Sequence, residues 1–488
     1  MKVVEMKISQ IFVINKSQAE LDFVDIDSEQ DKLLFIDPFL LSNNTDPWSL
    51  AASHTLQSFF QHVLDNIRTG RINQARQAFR HLHEPNETCL GMSNGLPRGR
   101  GVGTDNATEL FNAIQNSDAV QSGLVEDIQD TNLFIENIGR DKISDMTTNI
   151  IRKHLVEYTI SQADLWDIPL REATPTGFYW DEESLDWRNE LSRGLVIKNR
   201  KILLVPKSAV SLFRDYSAST YHQHDALNFL QADHLRRNTP LVKSKTLKDR
   251  SEKRWVPKDS IAATELPLRK AVLVDFTRRN PAVFDAFKAR MKAKSKPLEN
   301  EEIDSSTNLE ALTRMLVDEL NAIPSGKENA NAYHNLIKGI GELIFYPNLV
   351  SPTKETPIHG GRKRIDVVFR NAAKNGFFAE LAAHHSSNYI PVECKNYAES
   401  RDLANPEFDQ MLGRLAPARG IFGIITCRTA ENPNLLRERS RDAYSDNNKI
   451  VIYFTDNDLI TILNAIGRGE EHPEYPILQR KVDEIIVA

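Results

Sequence analysis

At 488 residues the chain has room for two or three domains, each able to bury its own core. With 40% hydrophobic and 26% charged residues its composition excludes extensive disorder, and no apolar run reaches the length of a membrane span. Three well-separated cysteines, Cys89, Cys394 and Cys427, exclude a disulfide framework or cysteine zinc site, and a start lacking the apolar run of a signal peptide points to a reducing cytoplasm. The net charge of −6 hides an asymmetry. Residues 241–300 hold sixteen Lys/Arg against seven Asp/Glu, so this window carries +9 and the remainder −15.

In chain order, Lys7–Ile14 and Lys32–Asp37 read as strands, the second closed by Asp37-Pro38. From Ser49 to His81 the period is helical, with Leu56, Phe59, Phe60, Val63, Leu64 and Ile67 on one face. A Gly/Pro-rich loop, Glu84–Thr104, leads into a helix carrying Leu110, Phe111 and Ile114. That geometry can cradle a phosphate, but the loop lacks the G-K-[ST] ending of a P-loop. Ile128–Ser161 reads as further helix and Gly194–Val205 as a hairpin turning at Lys198–Arg200. The pairs His81/His83 and His222/His224 have the spacing of two ligands on one strand face, without matching acidic partners. Residues 1–240 are thus an unrecognised mixed α/β domain with an expected sensing or regulatory role.

Residues 241–325 read as a basic, mostly helical connecting region, broken at Pro324-Ser-Gly326. Lys288, Arg290, Lys292 and Lys294 alternate with small residues there. They are candidate nucleic-acid contacts, the alternative being a solvated helical linker.

The third domain, 326–488, carries the chemistry. Its expected order is helix Ala330–Phe345, a strand near Leu349, strand Arg364–Arg370 and strand Tyr389–Lys395. A helix around Pro406–Leu415, strand Gly420–Cys427, a helix around Asn434–Tyr444 and strand Lys449–Phe454 follow. In Arg364–Arg370, Asp366 lies opposite the apolar face of Ile365, Val367 and Phe369. In Tyr389–Lys395, Glu393 and Lys395 project together, opposite Ile390, Val392 and Cys394. Two carboxylates and an ammonium on neighbouring strands are costly unless a divalent ion such as Mg²⁺ neutralises the acids.

Asp366 followed by Glu393-Cys-Lys395, after a helix carrying Glu342, resembles the PD-(D/E)XK nuclease superfamily, the restriction endonuclease-like fold with an αβββαβ core of mixed sheet flanked by helices. The resemblance covers about residues 330–465, and Ile365 stands where the family often has proline. It implies a Mg²⁺-dependent endonuclease, with Mn²⁺ as substitute, and DNA favoured over RNA as substrate. Asp366, Glu393 and the Cys394 carbonyl would hold the metal. Lys395 would orient the attacking water or stabilise developing charge. Gln410 matches a glutamine of some branches that would position Lys395, its alternative being a plain surface residue. Glu342 would be a further catalytic carboxylate, yet it falls opposite the apolar stripe of its helix. Arg362, Lys363 and Arg364 are candidate phosphate contacts. The resemblance further implies an active homo-oligomer, a restriction or antiviral defence setting with a partner defence protein, and no membrane. The alternative is a non-catalytic nucleic-acid-binding or assembly protein on a degenerate nuclease fold.

Overall fold

The computed structural model describes residues 6–92, 104–212, 215–354, 367–398, 401–417 and 419–487. No helix among them is long and apolar enough to cross a membrane. The architecture is mixed α/β with several small sheets and one five-stranded sheet near the C-terminus.

The first part is dominated by helices. Asp46 caps helix Pro47–Arg68 by accepting the Trp48 and Ser49 amides, and Pro47 supplies a pre-set φ at the first position. Leu56, Phe59, Phe60, Val63 and Leu64 then form its buried face, as their spacing predicts. Helices Arg140–Ile150 and Arg152–Leu165 pack beside it. A three-stranded antiparallel sheet follows (Arg171–Pro175, Leu191–Ile197, Arg200–Ile202), whose last two strands are the expected hairpin. Two other expectations fail. Lys7–Ile14 is no strand: Ile8–Ile11 forms a single helical turn, held by the Asp25 carboxylate, which accepts from the Ser9 amide and hydroxyl. The strand expected over Lys32–Asp37 shrinks to Phe35–Ile36, because Asp37 turns to cap the next helix.

The stretch read as a connecting region divides in two. It opens with an antiparallel hairpin, Lys243–Thr246 with Glu252–Trp255, before its helices begin. Val256, Ile261, Leu273, Phe276, Phe284, Phe287, Met291 and Ile303 then bury into the first core. Only the last helix, Leu309–Ala322, joins the second core through Leu312, Leu316 and Leu320.

That second core surrounds the five-stranded sheet. Helix α1 (Ala330–Phe345) is followed by β1 (Leu349–Thr353), β2 (Val367–Asn371), α2 (Gly376–His385) and β3 (Tyr389–Lys395). Then come α3 (Asn405–Leu412), β4 (Phe422–Cys427), α4 (Pro433–Asn447), β5 (Ile450–Thr455), α5 (Asp456–Gly467) and α6 (Glu474–Ile486). Strand order is β1-β2-β3-β4-β5; the first two pairings are antiparallel and the last two parallel. The parallel pairs are joined by helical crossovers, as parallel strands require. Ile390, Val392, Cys394, Ile424, Ile452 and Phe454 share a core with the apolar stripe of α1 and with Leu459, Ile462 and Leu463 of α5. On the opposite face, Ile425, Cys427 and Val451 pack against Phe408 and Met411 of α3 and Leu436 and Ala443 of α4. The sheet is therefore enclosed by a helical layer on each face. Helix α2 fills the interval between β2 and β3, where no element was expected, and buries Phe377, Phe378 and Leu381.

Candidate active site

The residue alternation of β3 decides what meets at its carboxyl end. Ile390, Val392 and Cys394 face α1, so Glu393 and Lys395 face α3, where parallel pairing sets them beside Ile425 and Cys427. Helix α3 reaches them because β4 carries a glycine: a Cβ on Gly423 would stand 2.6 Å from the Met411 sulfur. With α3 this close, residues at helical spacing on one face, Glu407, Gln410 and Arg414 just past its end, address the strand.

Glu393 is buried, only 1% exposed, and a cation stands at each of its carboxylate oxygens. Lys395 Nζ lies 3.0 Å from Oε2, and the Arg414 guanidinium pairs with Oε1. Lys395 Nζ also donates to Gln410 Oε1 at 3.1 Å, so Gln410 is engaged with the lysine and not simply solvated. Beside this trio Glu407 accepts from the Tyr397 hydroxyl at 2.7 Å and the Ala404 amide at 2.8 Å. Burial works to raise the Glu407 pKa, but those hydrogen bonds outweigh it and hold the carboxyl below its ordinary value. Burial and the nearby Glu407 push the Tyr397 phenol up to about 12.

The Cys394 carbonyl, assigned to metal by resemblance, accepts from His334 Nε2 of α1 at 3.0 Å. Near it the Tyr333 hydroxyl donates to Asp456 Oδ1 at 2.9 Å, and Arg428 Nε stands 3.1 Å from Asp456 Oδ2. Burial raises the Asp456 carboxyl to about 6 against the opposing pull of Arg428 and the Tyr333 hydrogen bond. These contacts tie the first turns of α1 to the carboxyl ends of β3, β4 and β5.

Glu342 is not part of this group. It lies across α1 from the sheet, whereas Glu393 lies on the sheet face away from α1. It is buried at 1% exposure, with Lys207 Nζ 3.1 Å from its Oε1. Lys207 also donates to Asn300 Oδ1 at 3.2 Å and stands 4.0 Å from the Tyr346 ring centroid. Nearby Asp22 accepts from the Tyr158 hydroxyl and, at 2.9 Å, from the Ser351 amide. Burial pushes the Glu342 carboxyl up to about 8, Lys207 opposing and Asp22 adding to the rise. The wheel position opposite the apolar stripe therefore marks a second buried contact, made with the first part of the chain.

The basic residues also separate. Lys288 pairs with Glu126 at 3.1 Å and Asp130 at 3.3 Å, and Arg290 pairs with Asp225. Both are thus engaged in ion pairs with acids of the first part. Lys292 and Lys294 are exposed near the end of the same helix. Asp366, Arg362, Lys363 and Arg364 lie outside the described residues. Among the described residues no three His, Cys, Asp or Glu side chains gather as a metal-holding group. The histidine pairs have other surroundings: His81 stacks on Phe178 at 3.7 Å, and buried His222 sits in a π-helical turn with Nε2 2.7 Å from the Leu266 carbonyl.

Sequence reading missed Arg414 and Glu407. Their signal was present, since 407, 410 and 414 fall on one helix face, but nothing in the sequence says that this face meets β3.

Against known proteins, a family described as Domain of unknown function (DUF8370) matches residues 13–216, within the first part of the chain. No curated protein and no solved structure matches.

Proposed function

We propose that the C-terminal part is a restriction endonuclease-like domain and that the chain is a Mg²⁺-dependent endonuclease acting on nucleic acid, DNA in preference to RNA. The observation that carries this reading is Lys395 Nζ held between Glu393 Oε2 and Gln410 Oε1 at the end of β3. An accidental surface Glu-x-Lys would not be buried and braced by a residue of the next helix. Asp366 supplies the second carboxylate in this reading. In sequence it precedes Val367, and Val367 pairs with Val392, the residue before Glu393.

The donors suit a hard divalent ion: Glu393 and the Cys394 carbonyl offer oxygen ligands, as Mg²⁺ requires. Such an ion supplies Lewis acidity and a more acidic bound water. The chain's own residues do the positioning. Lys395 is a fixed cation for charge developing on the scissile phosphate or for orienting water, and Gln410 limits where its ammonium points. Arg362, Lys363 and Arg364 are assigned to the nucleic-acid backbone.

The test is incubation with plasmid, linear and single-stranded DNA and with RNA, each with Mg²⁺, Mn²⁺, Ca²⁺ or EDTA. Cleavage of DNA with Mg²⁺ and Mn²⁺, and little with Ca²⁺, is expected. Equal turnover in EDTA overturns the reading and favours the non-catalytic binding protein.

A further inference from the structure

The charge balance around Glu393 has a consequence for when metal binds. Two carboxylates, Glu393 and Glu407, are met by three cations, Lys395, Arg401 and Arg414. Arg401 is mostly exposed and 3.7 Å from Glu407, so its charge is screened by water. Arg414 is different: its side chain is fully buried and its guanidinium sits on the Glu393 carboxylate. A guanidinium does not deprotonate, so this charge cannot be shed. The described groups therefore sum to +1. A divalent ion entering such a site adds +2 beside a buried arginine, where repulsion is little screened. A phosphodiester arriving with it brings one negative charge and offsets part of that excess.

We propose that Arg414 is a positioning residue that couples metal binding to substrate binding: it neutralises Glu393 in the free protein, so a divalent ion binds weakly until substrate phosphate is present. This rests on the nuclease reading, because it takes Glu393 as a metal ligand. By linkage the substrate binds more tightly with metal to the same degree that metal binds more tightly with substrate. In the free protein the carboxylate is held in place by Arg414 and Lys395, which spares the site the cost of a bare buried anion.

The experiment is calorimetric titration of the intact chain with Ca²⁺, which supports binding more than turnover, alone and with a short DNA duplex. The wild type is expected to bind Ca²⁺ about tenfold or more tightly with duplex than without. Arg414→Gln, which keeps amide donors but removes the charge, is expected to bind Ca²⁺ tightly alone, with the duplex adding little. An Arg414→Gln affinity equal to or weaker than wild type without duplex overturns the proposal. Should that variant fail to fold, Arg414→Lys retains the charge and must retain the duplex dependence; its loss there overturns the proposal equally. Glu393→Gln separates metal binding from its coupling to substrate. If it binds Ca²⁺ as the wild type does, the metal is not at Glu393 and the nuclease reading itself fails. If it abolishes binding while Arg414→Gln changes nothing, only the coupling fails.

Discussion

Glu342 and Glu393 are equally buried and each faces a lysine, yet their surroundings differ in kind. The cations of Glu393 come from its own strand and from the end of the helix that follows. The cation of Glu342 comes from Lys207, far away in sequence; nearby Asp22 and Tyr158 also belong to the first part of the chain, and Lys207 is held by Asn300 of the stretch after it. A buried, perturbed carboxylate is a hint of function, but here the same hint arises twice. What separates the two is where the partners come from. Local partners at a strand end make a site that can be assembled around a ligand. Distant partners make a seam.

The sharpest way to break this comparison is through turnover. Lys395→Ala is expected to keep the fold and lower DNA cleavage by about a hundredfold or more, whereas Glu342→Gln leaves cleavage near wild type. Equal losses at matched stability would put Glu342 back in the site. Next in size is stability. Lys207→Met removes the cation that buried Glu342 and Asp22 share and is expected to lower stability in urea unfolding, most above about pH 8 where Glu342 is ionised. Lys207→Met combined with Glu342→Leu should recover much of that loss, which a purely local packing defect would not allow.

A pH series sharpens the seam further. Burial holds Glu342 well above the ordinary carboxyl value of 4.5, at about 8, and raises Asp22 as well. A group raised on folding favours the folded state while protonated. Its contribution is full below about 4.5 and is lost as pH rises through about 8. Stability measured by denaturant midpoint should therefore decline across that window, and Glu342→Gln should flatten the decline. Smallest is Gln410→Ala, which removes one hydrogen bond to Lys395 and is expected to slow cleavage about tenfold, since such a bond contributes about 1–2 kcal/mol. A change in substrate KM with unaltered kcat would instead make Gln410 a substrate contact.

Much of the sheet was legible because β3, β4 and β5 are short apolar runs bounded by turns and by strongly periodic helices. The parity of Glu393 and Lys395 on β3 followed from the same pattern. Helix α2 was not legible: Phe377-Phe-Ala-Glu-Leu-Ala-Ala383 is apolar nearly all round and shows no helical stripe. Lys7–Ile14 was misread because the Asp25 and Asp304 carboxylates, which hold Ser9 and Lys7, are remote in sequence. Lys207 gave no sign of its role for the same reason. The ion pairs of Lys288 and Arg290 were not legible in the basic window, since their acids lie outside it in sequence.

One feature of α1 reaches beyond either carboxylate. Its apolar stripe belongs to the sheet's core, while its outer side is pressed against the first part. A Cβ on Gly339 would stand 2.8 Å from Glu20 Oε1, and Lys338 donates to the Leu165 carbonyl at 2.8 Å. A helix buried on both sides cannot release its amides by local fraying of one neighbour. In native-state hydrogen exchange the central amides of α1 should fall in the slowest class and report the same opening energy as amides of β3 and of helix Arg152–Leu165. A fragment beginning at residue 320 would keep the sheet but strip one side of this helix. Its α1 amides should then exchange orders of magnitude faster, and the C-terminal part is expected to behave as one half of a single cooperative unit.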